Sequence, residues 1–335
     1  MKFISGKTTL TLIVSVLFLN FSLISCKDNR EEKNSKKIEK ISSNSEDSLF
    51  FKISLAEWSL HEPIQSGEMD PMDFAKKANE MGFPAIEYVT SFYAGRIKEA
   101  EDPKAEMQQV LDTLLANSKK YNVRNWLMMV DDEGDLAVQD SVVRNKAVEN
   151  HKKWVDAANF LGCSAIRVNL FGGDEPQVWK NASADALKKL STYAKDKNIN
   201  ILVENHGYLS SNADLLAEVM EKVNMENCGT LPDFGNFCLK RKDNARWDAE
   251  CIEEYPRYEG VRKMMPYAKA VSAKSYSFND EGWEELIDYK KMLQIIKNAG
   301  YDDYIGIEYE GTGLTPEEGI MKTKNVLIKA ANQLN

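Results

Sequence analysis

Three acidic residues stand at the ends of short apolar runs in the second half of the chain. Glu204 ends the run ILVE, Asp233 follows the dipeptide LP, and Glu308 follows the dipeptide GI. If these runs are parallel strands, their carboxyl ends meet at one edge and the three carboxylates converge. Like charges at short range repel strongly, so such a cluster requires a compensating positive charge.

From the residues alone, that positive charge could come from either of two sources. Oxygen ligands with one imidazole suit a divalent ion such as Mn²⁺, Mg²⁺, Zn²⁺ or Co²⁺. The imidazole would come from His206, because strand alternation places it on the same side as Glu204. Alternatively, Arg167 and Lys274 neutralise the acids without a metal.

The elements that position these residues form an alternating pattern. Short β-rich apolar runs are each followed by a longer stretch with helical periodicity. Eight such units within residues 49–335 predict an α/β fold, a single (β/α)₈ TIM barrel. The alternative is an open doubly wound sheet, but the first run ends AEWSLH without the glycines of a phosphate-binding turn. The predicted strands are Phe51–Trp58, Ala85–Val89, Arg124–Val130, Ala165–Leu170, Asn200–Asn205, Gly229–Asp233, Ala270–Lys274 and Tyr304–Tyr309.

The amino terminus carries an export signal. Lysines precede an apolar run that is too short for a stable membrane span, which predicts a signal peptide over residues 1–25. The run ends in LISC, which resembles a bacterial lipobox and implies lipidation of Cys26. Charged residues 26–48 predict a solvated tether. We therefore expect an exported protein held at the bacterial envelope by a lipid anchor, which is its only predicted contact with the membrane.

Composition narrows the classes of partner. The net charge of −9 disfavours nucleic acid, because a binding surface for phosphates must be basic. Four cysteines remain after Cys26, and Cys238 with Cys251 is the pair we expect if a disulfide forms; buried free thiols are the alternative. The long connection 237–258 is predicted to be a lid or a contact in a homo-oligomer.

Four motifs at predicted strand ends carry a family resemblance: VENH at 203–206, PDFGN at 232–236, VSAK at 271–274 and GIEYEG at 306–311. Together they resemble the sugar phosphate isomerase/epimerase family of xylose isomerase-like TIM barrels, which also includes type IV AP endonucleases. The resemblance covers about residues 50–332. It implies that Glu204, Asp233 and Glu308 bind a divalent metal and that the two glutamates move protons.

Two positions depart from the pattern of that family. Ser272 stands where the seventh strand is expected to carry a metal-binding histidine, and Asn236 replaces a histidine that commonly follows the sixth-strand aspartate. The chain has three histidines in all. His151 lies on a predicted helix and is interpreted as a surface residue, which leaves His206, or His61 on the first strand, as the imidazole ligand.

The chemistry suited to this set is proton abstraction next to a carbonyl group. Glu204 and Glu308 are the expected acid/base pair, in an order the sequence does not give, and a metal or Lys274 would stabilise the enediolate oxygen. Further polar or aromatic residues at predicted strand ends are expected to bind the substrate: Trp58, Glu87, Arg167, Asn169, Asn236 and Glu310.

Three functions fit these expectations. The first is an isomerase or epimerase of a free sugar or keto-sugar. The second is a lyase that cleaves 3-keto-glycosides by β-elimination, which begins with the same proton abstraction. The third is a non-catalytic carbohydrate-binding lipoprotein whose aromatic residues stack on sugars. The aromatic candidates are Trp58, Tyr88, Phe92, Trp126 and Phe171.

Overall fold

The computed structural model describes residues 49–247 and 249–334 of the chain. The predicted signal peptide, Cys26 and the tether up to residue 48 lie outside the described residues. Within the described part, no helix combines the length and the apolar composition needed to cross a bilayer.

Eight parallel strands form the predicted barrel. They are β1 (Lys52–Ala56), β2 (Ala85–Val89), β3 (Arg124–Met129), β4 (Ala165–Val168), β5 (Asn200–Glu204), β6 (Cys228–Leu231), β9 (Val271–Ser275) and β10 (Tyr304–Tyr309). The hydrogen-bonded order runs β6-β5-β4-β3-β2-β1-β10-β9, so β6 and β9 are the two ends of the sheet. Isolated parallel bridges join Thr230 to Ala268 and Asp233 to Ser272 and close the barrel along a seam between these ends.

Helices cover the outside of the barrel, and their ends follow local sequence signals. Asp102, Asp140 and Asn212 each accept hydrogen bonds from backbone N–H groups at a helix start. Gly162 ends a helix with φ of 74°, a conformation that glycine adopts without strain. The helices are α1 (His61–Gln65), α2 (Phe74–Glu80), α3 (Ser91–Glu99), α4 (Pro103–Lys120), α5 (Ser141–Leu161), α6 (Pro176–Lys195), α7 (Ala213–Val223), α8 (Arg257–Met264), α9 (Tyr289–Asn298) and α10 (Pro316–Asn332).

A small hairpin interrupts the repeat after β6. Strands β7 (Cys238–Arg241) and β8 (Cys251–Glu254) pair antiparallel, and a disulfide joins Cys238 to Cys251. The segment expected to be a lid or an oligomer contact is therefore a disulfide-linked hairpin. Cys163 and Cys228 are free thiols.

Helix α6 begins at Pro176, because Glu175 accepts a hydrogen bond from the backbone N–H of Val178 and caps the helix. The structure corrects one expectation about these elements. The interpretation of His151 as a surface residue was wrong: its side chain is buried, and its Nδ1 lies 2.8 Å from the carbonyl oxygen of Ala147 one turn earlier in α5.

Candidate active site

Three buried carboxylates meet at the carboxyl ends of the barrel strands. Glu204 on β5, Asp233 just beyond β6 and Glu308 on β10 each place an oxygen within 4.8 Å of the others. Asp233 is fixed by its surroundings, since its Oδ1 accepts hydrogen bonds from the backbone N–H groups of Gly235 and Asn236, both at 2.8 Å. Its Oδ2 is buried and has no hydrogen-bond partner.

Lys274 on β9 reaches into this acidic cluster. Its buried ammonium group lies 3.1 Å from Glu310, 3.3 Å from Glu308 and 4.0 Å from Asp233. Ser272, two residues earlier on the same strand, donates a hydrogen bond of 2.9 Å to Glu308. The position at which a histidine was expected therefore supplies a hydroxyl group to one of the three acids.

Arg167 provides the second positive charge. Its Nε lies 2.8 Å from Glu204 Oε2, and its NH1 donates to Asp131 at 2.7 Å. Asn236 donates to the other oxygen of Glu204 at 2.9 Å. Both oxygens of Glu204 thus face donors, an arrangement that favours its ionised form.

His206 is not one of the residues whose ligand atoms converge in the acidic cluster. Its Nδ1 lies 2.7 Å from Asn169 Oδ1, and Asn169 Nδ2 donates to Asp131 at 2.7 Å. Because the amide nitrogen of Asn169 is committed to Asp131, His206 Nδ1 carries the hydrogen and donates to the amide oxygen. His61 is also outside the cluster; its Nδ1 bonds the carbonyl oxygen of Trp58 at 2.7 Å.

The cluster opens into a cavity of about 900 Å³ that extends to the β7–β8 hairpin. Of the residues expected to contact substrate, all but Glu87 line this cavity. Glu87 is buried beneath it, where Ser54 donates a 2.5 Å hydrogen bond to its carboxyl group. The cavity residues from that set are Trp58, Arg167, Asn169, Asn236 and Glu310.

The aromatic residues expected to stack on sugars also divide into those at the cavity and those away from it. Trp58 and Phe171 line the cavity, and Phe92 stacks behind Trp58 with the ring centroids 5.8 Å apart. Tyr88 is fully buried in the core. Trp126 packs against Tyr304 at the opposite end of the strands, so Tyr88 and Trp126 are not in a position to meet a ligand in this cavity.

Burial and charge set the ionisation of the cluster. Burial raises the pKa of Glu308 to about 8, and it also raises the pKa of Glu204, although Arg167 opposes the second shift. Burial acts against the charge on Lys274, but the surrounding acids outweigh it and raise the pKa of that ammonium. Lys274 in turn holds the pKa of Glu310 below its usual range against the effect of burial. Lys274 therefore pairs with the Glu310 carboxylate, and burial favours the protonated form of Glu308.

The three carboxylates fit a divalent cation. Their oxygens converge, they are hard ligands, and Oδ2 of Asp233 is buried without a hydrogen bond. Acids also outnumber bases around the cavity floor, since Arg167 and Lys274 face five acids: Asp131, Glu204, Asp233, Glu308 and Glu310.

Sequence reasoning missed three contributors to the site. Asp131 follows β3 just as the other acids follow their strands, so the same signal could have identified it. His151 lines the cavity from helix α5, and Trp247 lines it from the hairpin. Neither of these two follows a barrel strand, and no periodicity in the sequence marks them.

Comparison with known proteins agrees with this architecture. The family model described as xylose isomerase-like TIM barrel matches residues 75–330. A D-tagatose 3-epimerase-like protein is similar in structure, with 20% sequence identity, 85% of this chain and 98% of that chain covered, and a TM-score of 0.61. An IolI protein with a bound zinc atom is 16% identical over 84% of this chain and 98% of its own, also with a TM-score of 0.61.

A third similar structure is the 3-keto-D-glucoside 4-epimerase YcjR from E. coli. It is 10% identical, covers 84% of this chain and 100% of its own, and has a TM-score of 0.59. No functionally curated protein matches the sequence. At these identities the solved structures establish the fold, and the family model establishes the relationship. This chain belongs to the xylose isomerase-like TIM barrel family.

Proposed function

We propose that the protein is a sugar isomerase or epimerase that moves a proton on a carbon next to a carbonyl group. The observation that carries this proposal is the meeting of two buried glutamates, Glu204 and Glu308, in unlike surroundings at the carboxyl ends of the barrel strands. Glu204 forms an ion pair with Arg167 and accepts a hydrogen bond from Asn236, and both contacts favour the carboxylate. Glu308 lies beside Ser272 in a setting that raises its pKa to about 8.

These settings suggest how the proton is handled. Glu204, as the carboxylate, takes the proton from the carbon beside the carbonyl, and Glu308, as the acid, returns one. Lys274 lies 3.3 Å from Glu308 and can face the oxygen on which negative charge develops. Glu310 and Trp58 both line the cavity and are placed to orient sugar hydroxyl groups.

A divalent metal is part of this proposal. Glu204 and Asp233, with Glu308 in its ionised form, would hold the ion, and when bound it would supply Lewis-acid polarisation of the carbonyl oxygen. Ser272 cannot replace the expected histidine as a nitrogen ligand, so the ligand set contains carboxylate oxygens only. Such a set favours Mg²⁺ or Mn²⁺ over softer ions.

A second candidate, a keto-glycoside lyase, is favoured by the size of the cavity. Ligand sites commonly range over about 300–1,000 Å³, and this cavity, at about 900 Å³, is at the upper end. It leaves room for a leaving group beside the reacting sugar. The lyase would use the same proton abstraction by Glu204 and would then expel the aglycone instead of returning a proton to carbon.

The expected localisation belongs to the proposal as well. A disulfide such as Cys238–Cys251 persists in oxidising compartments, which supports export from the cytosol. Lipidation of Cys26 would hold the barrel at the envelope, where it would meet carbohydrate. Growth of the producing cells with radiolabelled palmitate would show label on the wild-type chain and none on Cys26→Ser.

Proton NMR in D₂O tests the reaction. Ketoses, aldoses and 3-keto-glucosides would be incubated with the purified protein and Mn²⁺, with Glu204→Gln as the inactive control. Deuterium beside the carbonyl together with a new epimer or isomer establishes the isomerase. Release of the aglycone with an unsaturated keto-sugar establishes the lyase. Binding without exchange on any substrate would replace both with the carbohydrate-binding protein.

A further inference from the structure

The cavity has a second half that the proton chemistry does not use. Its floor holds the acidic cluster, and its outer part lies between the loops after β3 and β4 and the β7–β8 hairpin. Here three aromatic residues meet among charged ones. Phe171, His206 and Trp247 face one another, with ring centroids 5.2 to 5.9 Å apart. We call these three residues the aromatic corner.

Trp247 is the exposed member of the aromatic corner. Its side chain is 43% exposed, whereas the other cavity tryptophan, Trp58, is half-buried and sandwiched between His61 and Phe92. The Trp247 ring is perpendicular to Phe171, at 89°, and tilted by 48° from His206. Neither neighbour stacks on it face to face, and the residue keeps enough exposed surface to contact a ligand.

The residues around Trp247 hold it in place. Arg246 lies over the Phe171 ring with 4.2 Å between the guanidinium carbon and the ring centroid, and it pairs with Asp135 at 2.7 Å. The Tyr208 hydroxyl donates a hydrogen bond to the carbonyl oxygen of Ala245. The Cys238–Cys251 disulfide ties the base of the same hairpin. An aromatic ring that is exposed but fixed loses little freedom when a ligand covers it.

We propose that the aromatic corner is a second subsite, and that the substrate is a glycoside of at least two rings rather than a free monosaccharide. This deepens the proposed function and rests on it. The reacting sugar occupies the polar floor beside Glu204 and Glu308. The ring attached to it, either a second sugar or an aromatic aglycone, stacks on Trp247. Both kinds of ring offer the flat apolar face that an indole binds.

Binding of unreactive glycosides tests the subsite directly. The probes are methyl and p-nitrophenyl β-glycosides of glucose, galactose and mannose, together with methyl β-cellobioside. None has a free carbonyl group, so the wild-type protein can be titrated calorimetrically without turnover. The variants are Trp247→Ala, Trp247→Phe and, as a matched control, Ile252→Ala, which changes a 54% exposed side chain of the same hairpin outside the cavity.

We expect the two-ring probes to bind more tightly than the methyl monosaccharides. Trp247→Ala should weaken two-ring binding about five- to tenfold and leave methyl glycoside binding unchanged. Trp247→Phe should retain most of the affinity, and Ile252→Ala all of it. Preference for the cellobioside identifies a sugar in the subsite, and preference for the nitrophenyl glycoside identifies an aromatic aglycone.

Equal binding of one-ring and two-ring probes, or an equal effect of Trp247→Ala on both, overturns the subsite and leaves the proposed function standing. Absence of binding by every probe, in a protein whose circular dichroism and melting are those of a folded barrel, counts against the sugar-directed function itself. The two failures are therefore distinguishable.

Discussion

Gly306 on β10 lies directly against the carboxyl group of Glu87 on β2. A Cβ atom on residue 306 would come within 2.5 Å of Glu87 Oε1, closer than real Cβ contacts allow. Ser54 on the intervening strand β1 donates to the same oxygen. The glycine thus makes room in the barrel interior for a buried acid that supports the floor of the candidate site.

We predict that Gly306→Ala destabilises the protein by about 1–3 kcal/mol, the usual effect of overpacking a filled core. Combining it with Glu87→Ala should cost less than the sum of the two single changes, because the clash is with that carboxyl group. Urea unfolding measures the change in the free energy of unfolding for the two single variants and for the double variant. Gly95→Ala is the control, since no atom lies within 4 Å of a Cβ there. Additive single effects would contradict the clash.

Glu204→Gln should lower the rate of proton exchange by about 10²–10⁴-fold, because an amide cannot take a proton from carbon. The fold should be retained, since the amide has nearly the same shape as the carboxyl group and its oxygen can still accept from Asn236. The measurement is deuterium uptake by NMR on the substrate identified by the panel above. Glu253→Gln, a change at an exposed glutamate of the hairpin, is the control. Exchange at the wild-type rate in Glu204→Gln would remove this residue from the chemistry.

Asp233→Asn should weaken binding of Mn²⁺ by at least tenfold, because it replaces a charged ligand whose Oδ2 accepts no hydrogen bond. Calorimetric titration with the metal alone measures the affinity. Asp135→Asn is the matched control, because that residue pairs with Arg246 at the cavity rim. If the wild type shows no heat of binding at millimolar Mn²⁺, Lys274 and Arg167 are the only compensating charges and the metal is not part of the protein.

The free energy of unfolding should depend on pH through Glu57, and the burial of this residue sets the direction of that dependence. Burial raises its pKa from 4.5 to about 8, against hydrogen bonds from Tyr93 and Val89. The folded state therefore holds a proton that the unfolded state releases, and this contribution to stability is complete below about pH 4.5. It is lost as pH rises towards 8, at up to about 1.4 kcal/mol per pH unit.

Glu57→Gln should remove that slope. The amide can accept from the Val89 N–H and donate to the Tyr93 hydroxyl, which can donate onward to the carbonyl oxygen of Pro71 at 3.2 Å. The free energy of unfolding of the wild type minus that of the variant should therefore fall between pH 5 and pH 8. A difference that stays constant across this range would show that Glu57 is ionised in the folded protein.

Replacing Cys238 and Cys251 with serine should loosen the hairpin without unfolding the barrel. A disulfide that closes a loop of about this length contributes roughly 3 kcal/mol, here to a local element outside the barrel sheet. Trypsin should therefore cut faster within 240–246, which carries four basic residues, while the melting temperature of the barrel changes little. Reduction of the wild type with dithiothreitol should reproduce the effect. Unchanged cleavage in both cases would show that packing alone holds the hairpin.

The sequence was sufficient to predict the barrel and the convergence of the three acids, because strand alternation and strand ends are local properties of the chain. All eight predicted strands overlap the observed ones. It was insufficient for His206, whose orientation depends on Asn169 and Asp131 on other strands. It was also insufficient for Trp247, since the hairpin that carries it is placed by a disulfide and by Arg246, contacts between residues that no periodic pattern connects.

The seam of the barrel passes through the candidate site. Between β6 and β9, the strand ends are joined by the backbone bonds Lys269 to Thr230, Ser272 to Pro232 and Phe234 to Ser272. Pro232 has no N–H group to add to them, whereas β1 and β10 pair over four consecutive residues. Local opening of this seam should therefore cost less than opening elsewhere in the sheet, and its amides should exchange with solvent before the others. Asp233 and Ser272 lie on opposite sides of that seam. Opening the seam should therefore also change the distances between the residues of the acidic cluster.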